Sequence, residues 1–399
     1  MNKKRLKIGL FLDSFFPAID GVVNVVDNLA KELSKYNDVV VVVPYTESIN
    51  EDKDRPYKVI RIKSLPVPFT DYRVSLMQTR INESYKILLE EKFDIIHIHS
   101  PLTIGSLGLK IAKKLNIPCI ATMHTRFDFE IRKRVNNQFV IDNIISRFIK
   151  VYNSCDKCIA VNNAMKKVFK DYGYLYEPVI IYNGTDLTTC KDKEIINKIN
   201  VKYSLENIYP IFLFVGRIID IKNIFFILDS LKLLKEEEYM FKIIYVGDGF
   251  DLKELQKRIV EYDMQDYCIT TGMVTDRNII SGFYKRADLF LFPSLFDASS
   301  LVQIEAAVNE TPGVFIEGSV TSDTVINNVS GFTSSYSVND YKEKIKEIIS
   351  DKSKLKIVGK NAKEMLGKNW KNIARETYEL YLKEIEKKEL QLWLKITKQ

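Results

Sequence analysis

The sequence predicts an α/β protein of two domains, each built on a doubly wound parallel sheet. At 399 residues, the chain is longer than one hydrophobic core usually supports. Short unbroken apolar runs alternate with segments of helical period, as in strands that helices cover on both faces. A polar stretch at residues 188–206 interrupts this alternation, which restarts at 211. We therefore expect a linker there, between two similar domains.

The first series of apolar runs predicts the strands of a domain over residues 1–190. Right-handed crossovers between parallel strands then give a doubly wound architecture. One crossover helix is expected at 110–116, because Pro118 disfavours helical conformation in the residue before it. The expected strands are 8–12, 39–43, 95–98, 119–123, 158–161 and 179–182.

The second series predicts a Rossmann-like domain over residues 205–368. Its last part, beyond residue 337, is rich in Lys and Glu, and residues 373–396 carry apolar side chains at helical spacing. We expect the segment 369–399 to be a helix that returns to the first domain. The strands expected in the second domain are 211–215, 243–246, 269–271, 289–292 and 314–316.

Composition limits the class of protein. The hydrophobic fraction of 46% and the charged fraction of 28% are typical of a globular protein. No run approaches the roughly 18 consecutive apolar residues of a membrane-spanning helix. The five cysteines are odd in number and scattered, unlike a secreted disulfide framework. We expect a cytoplasmic protein without a signal peptide.

The excess positive charge lies entirely in the first half. Residues 1–198 hold 31 of the 59 Lys and Arg residues but 23 of the 52 Asp and Glu residues. A basic half predicts contact with an anionic partner, such as a membrane surface or nucleic acid. Nucleic acid is the weaker alternative, because the sequence has no zinc finger, RNP-like motif or basic recognition helix. We expect peripheral contact with a membrane and none with nucleic acid.

One segment is a candidate for that contact. Basic residues follow His124, and the apolar and basic segment 139–150 could be a surface helix that docks on anionic lipid. An ordinary amphipathic core helix explains this segment equally well. The basic residues are Arg126, Arg132, Lys133 and Arg134.

Ligands bind open parallel sheets at the carboxyl ends of the strands, so the residues just after each apolar run are informative. Gly21 opens a helix after the first strand, where bare amide groups could approach a phosphate. A glycine needed only for turn geometry is an equal alternative. His124 follows the run 119–123 directly, where an imidazole can hydrogen-bond a ligand hydroxyl. His97 and His99 share one face of a strand and are predicted to be core or supporting residues.

Cations follow the first strand of the second domain. Gly216 and Arg217 end this strand, and Lys222 lies near the start of the next helix. Two fixed cations beside one ligand would stabilise the charge that develops on a diphosphate leaving group. A solvated surface pair is the alternative.

Carboxylates follow a later strand of the same domain. Asp297 lies in the loop, and Glu305 lies inside the helix that follows. The helix start, Ser299-Ser300-Leu301, can offer amide groups to a phosphate, and carboxylates can accept hydrogen bonds from ligand hydroxyls. An acidic helix cap and a glutamate on the helix face are the alternative.

Together these loops resemble glycosyltransferase family 4, whose members have the GT-B fold. The resemblance covers nearly the whole chain in order and is strongest with bacterial enzymes that add hexoses to membrane diacylglycerol and glycolipids. It implies two Rossmann-like domains facing a central cleft. The motifs are D-I-I-H-I-H-S-P, M-H-T, Y-N-G-T-D, V-G-R-x4-K and P-S-x2-D-x7-E-A-A.

The resemblance implies a role for each site residue. Arg217 and Lys222 would hold the donor diphosphate, and Gly21 would border it from the first domain. Glu305 would bind the ribose hydroxyls, whereas Asp297 and His124 would contact the transferred sugar and are assigned to catalysis. The residues assigned to donor binding are Gly21, Gly216, Arg217, Lys222, Ser299, Ser300, Leu301 and Glu305.

The activity implied is retaining transfer of a hexose, UDP-hexose being the expected donor, to a membrane lipid or cell-surface glycan. No metal or separate cofactor is expected, because the one D-x-D sequence, Asp52-Lys53-Asp54, lies in a charged loop and is interpreted as solvated. Two other functions stay open. One is a catalytically silent glycosyltransferase-like partner subunit, and the other is a nucleotide-sugar epimerase of similar fold.

The sequence departs from the family pattern in four places. Asp297 stands where the family usually has glutamate, and Ala298-Ser299-Ser300 replaces a glycine-rich stretch. Glu310 stands where glycine is usual, and Asp323 where glutamate is common. A shorter carboxylate and a stiffer loop are expected to alter the choice of sugar.

Overall fold

The computed structural model describes residues 5–18, 21–46, 50–66, 73–75, 83–132, 135–295 and 297–397. The chain divides into two compact units, one of Met1–Asn183 with Trp370–Gln399 and one of Gly184–Asn369. Each unit contains its own parallel sheet with helices between successive strands. The predicted fold class of two Rossmann-like α/β domains is confirmed.

The first unit has a seven-stranded sheet. Its order is β3-β2-β1-β6-β7-β8-β9, and all pairs in it are parallel. The strands are β1 (Lys7–Phe11), β2 (Asp38–Pro44), β3 (Lys58–Ile62), β4 (Ser64–Pro66), β5 (Arg73–Ser75), β6 (Ile95–Ile98), β7 (Cys119–Met123), β8 (Lys157–Ala160) and β9 (Val179–Ile180), of which β4 and β5 form a separate antiparallel pair. The helices up to the unit boundary are α1 (Gly21–Ser34), α2 (Glu83–Glu90), α3 (Thr103–Leu115), α4 (Phe127–Arg132), α5 (Gln138–Asn153) and α6 (Asn163–Asp171).

The second unit has a six-stranded parallel sheet in the order β12-β11-β10-β13-β14-β15. All five residues of its central strand, β10, are buried. The strands are β10 (Ile211–Val215), β11 (Lys242–Val246), β12 (Cys268–Thr270), β13 (Leu289–Leu291), β14 (Gly313–Ile316) and β15 (Phe332–Ser334). The helices are α7 (Lys193–Tyr203), α8 (Ile224–Glu236), α9 (Leu252–Glu261), α10 (Arg277–Arg286), α11 (Leu301–Val308), α12 (Val338–Ile349) and α13 (Lys352–Leu366).

The last helix, α14 (Trp370–Ile396), belongs to the first unit and packs beside α1. Tyr381 on this helix is fully buried, and its hydroxyl lies 2.7 Å from Nδ1 of His97 in β6. Among the described residues, no helix combines the length and the apolar character that crossing a membrane requires.

The linker expected at 188–206 is wrong. The chain enters the second unit at Gly184, and α7 lies inside the stretch that was interpreted as linker. Ile199 of α7 is buried, and Ile195 packs against the core of this unit. The stretch 188–206 lacks a long apolar run and Ile199 is the one buried residue of α7, so this helix did not stand out in the sequence.

The crossover helix between β6 and β7, α3, begins seven residues earlier than the 110–116 prediction. The carboxylate of Asp13 accepts hydrogen bonds from the backbone amides of Ile104 (2.7 Å) and Gly105 (3.2 Å). This side chain therefore satisfies amides that the first turn of a helix leaves without partners. The interaction joins residues about ninety positions apart, and local sequence patterns cannot reveal it.

Candidate active site

The loop after β10 carries three of the predicted donor-binding residues. Gly216 has a φ of +151°, which L side chains rarely adopt. Arg217 follows it and is exposed. Lys222 ends a short 3-10 turn, and Asn223 then takes a left-handed conformation (φ 57°) before α8 begins. The loop thus holds two cations near the amino-terminal end of α8.

Backbone contacts fix this loop against the loop after β11. The amide of Gly216 donates to the carbonyl of Val246 (3.0 Å), and the amide of Ile218 donates to the carbonyl of Asp248 (2.9 Å). A Cβ atom on Gly247 would lie 1.9 Å from the Gly216 carbonyl oxygen. The two loops can approach so closely only without a side chain at this position. Gly247 was not among the predicted site residues, although two glycines in the sequence G-D-G are a signal for a close backbone approach.

Lys222 and Asp297 form an ion pair between Nζ and Oδ1. Their side chains are 16% and 20% exposed, so the pair is partly shielded from water. The second carboxylate oxygen of Asp297, Oδ2, is buried and accepts no hydrogen bond from the described residues. The structure therefore joins a predicted phosphate ligand and a predicted sugar ligand, and it leaves one buried acceptor beside them.

Glu305 lies in α11 and is 6% exposed. Arg277 donates to its Oε1 (2.8 Å), and the hydroxyl of Tyr284 donates to its Oε2 (3.1 Å). Burial raises the pKa of the Glu305 carboxyl, and the Arg277 guanidinium partly opposes this effect. Each oxygen keeps a further lone pair for a ligand hydroxyl. Arg277 and Tyr284 are site residues that the sequence analysis missed.

Arg277 also donates to Oδ1 of Asp186 (2.5 Å). Asp186 follows the start of the second unit and belongs to the Y-N-G-T-D motif. One guanidinium therefore binds Asp186 and Glu305, and Asp186 acts on the Glu305 carboxyl by raising its pKa. The motif was recognised in the sequence, but nothing in it indicated this partner.

The predicted donor-binding residues Ser299, Ser300 and Leu301 lie at the start of α11. Ser300 is the residue that precedes the helix, and its side chain makes no capping hydrogen bond. It is 8% exposed. Two small polar residues, Ser299 and Ser300, therefore precede α11, and Glu305 lies farther along this helix.

Glu310, one of the departures from the family pattern, has a structural explanation. It follows α11 with a φ of +63°, the left-handed region that favours glycine. Its carboxylate pairs with Lys285 (3.0 Å) and Lys363 (2.9 Å), which lower its pKa. The two ion pairs tie α10 and α13 together. Asp323, another departure, is exposed.

In the first unit, His124 follows β7 and is half-buried. Its Nε2 lies 3.0 Å from Nδ1 of His99. His97 is a core residue, as predicted, because both of its ring nitrogens contact buried hydroxyls, those of Tyr381 and Thr122. Burial lowers the pKa of His97 and of His124 to about 3, and it also lowers that of His99. All three rings are therefore neutral near pH 7.

His124 lines a cavity of about 240 Å³ in the first unit. Val22, next to the predicted Gly21, lies on its wall, and Gly21 has open space around the position of a Cβ atom. The cavity is lined by both polar and apolar side chains. The polar residues include Asp13, Ser100 and Glu130, and the apolar ones include Leu102, Phe127, Ile131 and Phe148.

The segment 139–150 lies within α5, whose stripe of Ile141, Ile145 and Ile149 is buried. The core-helix interpretation is therefore correct for this stripe. Phe139, at the first turn, is 77% exposed. Of the basic residues that follow His124, Lys133 and Arg134 lie outside the described residues.

The interpretation of Asp52-Lys53-Asp54 as solvated is wrong for Asp52. Arg61 of β3 donates to both of its carboxylate oxygens, at 2.6 and 3.0 Å. The two side chains are only 6% and 11% exposed. The strand that supplies Arg61 was missed because Lys58 and Arg61 leave it without an unbroken apolar run. In the described parts of the chain, no group of three or more His, Cys, Asp or Glu side chains could hold a metal ion.

Sequence comparison matches both units to known families. The model of Glycosyltransferase Family 4 matches residues 19–189, and that of Glycosyl transferases group 1 matches residues 196–365. An alpha-monoglucosyldiacylglycerol synthase of Streptococcus pneumoniae is 27% identical over 314 residues, which are 77% of this chain and 70% of the relative. The enzyme of the same name from Acholeplasma laidlawii is 25% identical over 324 residues, 77% of this chain and 79% of the relative.

Solved structures agree on the fold. Anabaena Alr3699/HepE, in complex with UDP and glucose, superposes with a TM-score of 0.75 at 17% identity, covering 94% of this chain and 99% of that one. Sucrose-phosphate synthase from Thermosynechococcus elongatus gives a TM-score of 0.73 at 18% identity, covering 95% and 99%. The two α/β domains of this chain are therefore those of the GT-B fold.

The contact between the loops after β10 and β11 predicts that two glycine substitutions lower stability by different amounts. Gly247 and Gly272 both have positive φ (+146° and +71°), but a Cβ atom meets the Gly216 carbonyl only at Gly247. Gly272→Ala is expected to cost about 1–2 kcal/mol of left-handed strain. Gly247→Ala adds displacement of the loop and is expected to cost roughly 3 kcal/mol or more. Chemical denaturation of both variants measures the difference, and equal losses would contradict the proposed contact.

Proposed function

Because this chain belongs to glycosyltransferase family 4, we propose that it is a retaining hexosyltransferase that uses a nucleotide-diphosphate sugar, UDP-hexose in the first place. The observation that carries the proposal is the Lys222–Asp297 ion pair, beside Arg217 and the start of α11. It places fixed positive charge next to a carboxylate that has a buried oxygen to offer. A diphosphate needs the positive charge, and a sugar hydroxyl needs the carboxylate oxygen as an acceptor.

The second unit takes the donor. Arg217 and Lys222 hold the diphosphate and stabilise the negative charge that grows on it as the glycosidic bond breaks. Glu305, held by Arg277 and Tyr284, accepts hydrogen bonds from the ribose hydroxyls. Since the two cations supply the charge that a metal ion would otherwise supply, we propose a reaction without a metal or separate cofactor.

The first unit takes the acceptor. Its cavity beside His124 is lined by apolar side chains, which suit the hydrocarbon part of a lipid, and by polar side chains, which suit a hydroxyl group. A membrane lipid is therefore the acceptor that we favour, with a cell-surface glycan as the alternative. The similarity to diacylglycerol glucosyltransferases supports the same choice.

Membrane contact would follow from such an acceptor. We propose that the protein binds the inner face of the cell membrane peripherally through its basic first unit. Phe139 is exposed at the start of α5, and Phe148, farther along the same helix, lines the cavity. The helix that would meet the membrane therefore also contributes to the acceptor cavity.

The activity test is release of UDP from UDP-glucose and UDP-galactose, with diacylglycerol vesicles or a glycan as acceptor and an excess of chelator. Arg217→Ala is expected to lower kcat about 10²–10³-fold, because one stabiliser of the developing charge is lost. Glu305→Ala is expected to raise the donor KM. NMR of the product should show a retained anomeric configuration.

Arg5→Ala is the control for loss of an arginine. Arg5 pairs with Asp38 at the amino-terminal end of β2, and both side chains are more than half exposed, so its loss should leave turnover unchanged. Donor binding without turnover would identify a silent subunit, and conversion of the donor without acceptor would identify an epimerase. Complete loss of activity in chelator would refute the metal-free reaction.

Donor affinity should depend on pH through Glu305. The ionised carboxylate is the better acceptor for two hydroxyls, so affinity is full above its pKa and falls as the pH drops through it. Burial raises this pKa, Arg277 lowers it and Asp186 raises it. Arg277→Gln should therefore move the acid limb of UDP binding to higher pH, and Asp186→Asn should move it to lower pH. Calorimetric titration across pH measures both, and shifts in the same direction would contradict the arrangement.

Membrane contact predicts salt-sensitive binding to vesicles that contain phosphatidylglycerol. Added salt shortens the Debye length from about 10 Å at 0.1 M to about 3 Å at 1 M, so cosedimentation should fall. Phe139→Ser should weaken binding, whereas Tyr36→Ser should not. Both side chains are 77% exposed, but Tyr36 follows α1 at the opposite edge of the sheet. Binding that is absent or insensitive to salt would refute the contact.

A further inference from the structure

Two neutral histidine rings share one hydrogen bond at the end of the first sheet. Nδ1 of His99 lies 3.0 Å from Nε2 of His124, and the ring planes are inclined by 20°. A neutral imidazole carries a proton on one nitrogen and a lone pair on the other. One of the two facing nitrogens must therefore donate and the other accept, and this choice fixes the tautomer of both rings.

The surroundings of the other nitrogen of His99 decide between the two arrangements. His99 is 3% exposed, and its Nε2 is buried with no hydrogen-bond partner among the described residues. If His124 donated to His99, this Nε2 would have to carry a proton and be a buried donor without an acceptor. If His99 donates to His124, Nε2 carries only a lone pair. Orphaned buried donors are rarer than under-satisfied acceptors, so the second arrangement is favoured.

We infer that His99 is a positioning residue that donates from Nδ1 to His124 and thereby holds the His124 proton on its own Nδ1. His124 then presents an N–H donor from Nδ1, and its lone pair is already occupied by His99. Such a ring can donate to a ligand oxygen, and it cannot serve as a general base through Nδ1. The identity of that ligand, a sugar hydroxyl, rests on the proposed function.

His97 supports His99 from the other side. The two ring centroids lie 4.0 Å apart, and His97 itself is held at both nitrogens by the hydroxyls of Tyr381 and Thr122. Hydroxyl groups can donate or accept, so these contacts fix the position of the His97 ring without setting a tautomer. The stack therefore keeps the His99 ring facing His124, and α14 takes part through Tyr381.

The direct test is ¹⁵N NMR of the full chain labelled at histidine, recorded without donor or acceptor. The chain has three histidines, and protonated and bare ring nitrogens resonate in separate regions of the spectrum. Single substitutions of His97, His99 and His124 assign the signals. We expect His99 and His124 both to carry the proton on Nδ1. A proton on Nε2 of either ring would overturn the inference.

Two variants test the role of His99. His99→Asn keeps an amide N–H near the position of Nδ1 and should preserve the tautomer of His124 and most of the activity. His99→Leu removes the donor and should release the His124 proton to Nε2, with kcat lowered about tenfold, as for other partners that orient a functional histidine. An unchanged His124 spectrum in His99→Leu would contradict the positioning role.

This test and that of the proposed function fail separately. An inactive wild type with both protons on Nδ1 would refute the transferase and leave the inference intact. An active wild type with a proton on Nε2 of His124 would refute the inference and leave the proposed transferase intact. Thermal unfolding of both His99 variants shows whether they fold, and the wild-type spectrum decides the tautomer even if they do not.

Discussion

Burial of the parallel strands on both faces is the constraint on which the rest of this structure depends. All five residues of β7 and all five of β10 are buried, so side chains inside these strands cannot be the polar groups that contact a ligand. Such groups gather where strands end, and parallel strands end along one edge of the sheet. Residues far apart in the chain meet there. Lys222 and Asp297, 75 positions apart, form an ion pair at this edge.

The same constraint explains which parts of the fold were predictable. Unbroken apolar runs such as β10 are unambiguous in the sequence, and they predict the strands of both sheets except the edge strands β3 and β15. The start of α3 is different, because the distant carboxylate of Asp13 completes its first turn. The linker was misplaced for a related reason. α7 is held to the second unit by few apolar contacts, among them Ile199, and its helical period is too weak to stand out.

At the candidate site, the residues that could be predicted are those that directly follow a buried strand, such as Arg217 and His124. The residues that could not be predicted look ordinary in the sequence. Tyr284 reads as a core aromatic, and Arg277 reads as a solvated charge in a first helical turn. Only the fold shows that both bind Glu305. His99 was placed inside a strand, but β6 ends at Ile98, so His99 occupies the same kind of strand-end position as His124.

The Lys222–Asp297 pair bears on what the shorter carboxylate at 297 does. A diphosphate that binds Lys222 has to compete with Asp297 for the ammonium group, and a carboxylate that lost its partner would be costly in a partly buried site. Oδ2 of Asp297 already lacks a donor among the described residues. When the phosphate binds Lys222, a hexose hydroxyl that donates to Asp297 would offset the lost ion pair. It would also give Oδ2 the donor that it lacks. Diphosphate and sugar binding would then favour each other, and a sugar without a hydroxyl at that position would lose affinity for both parts of the donor.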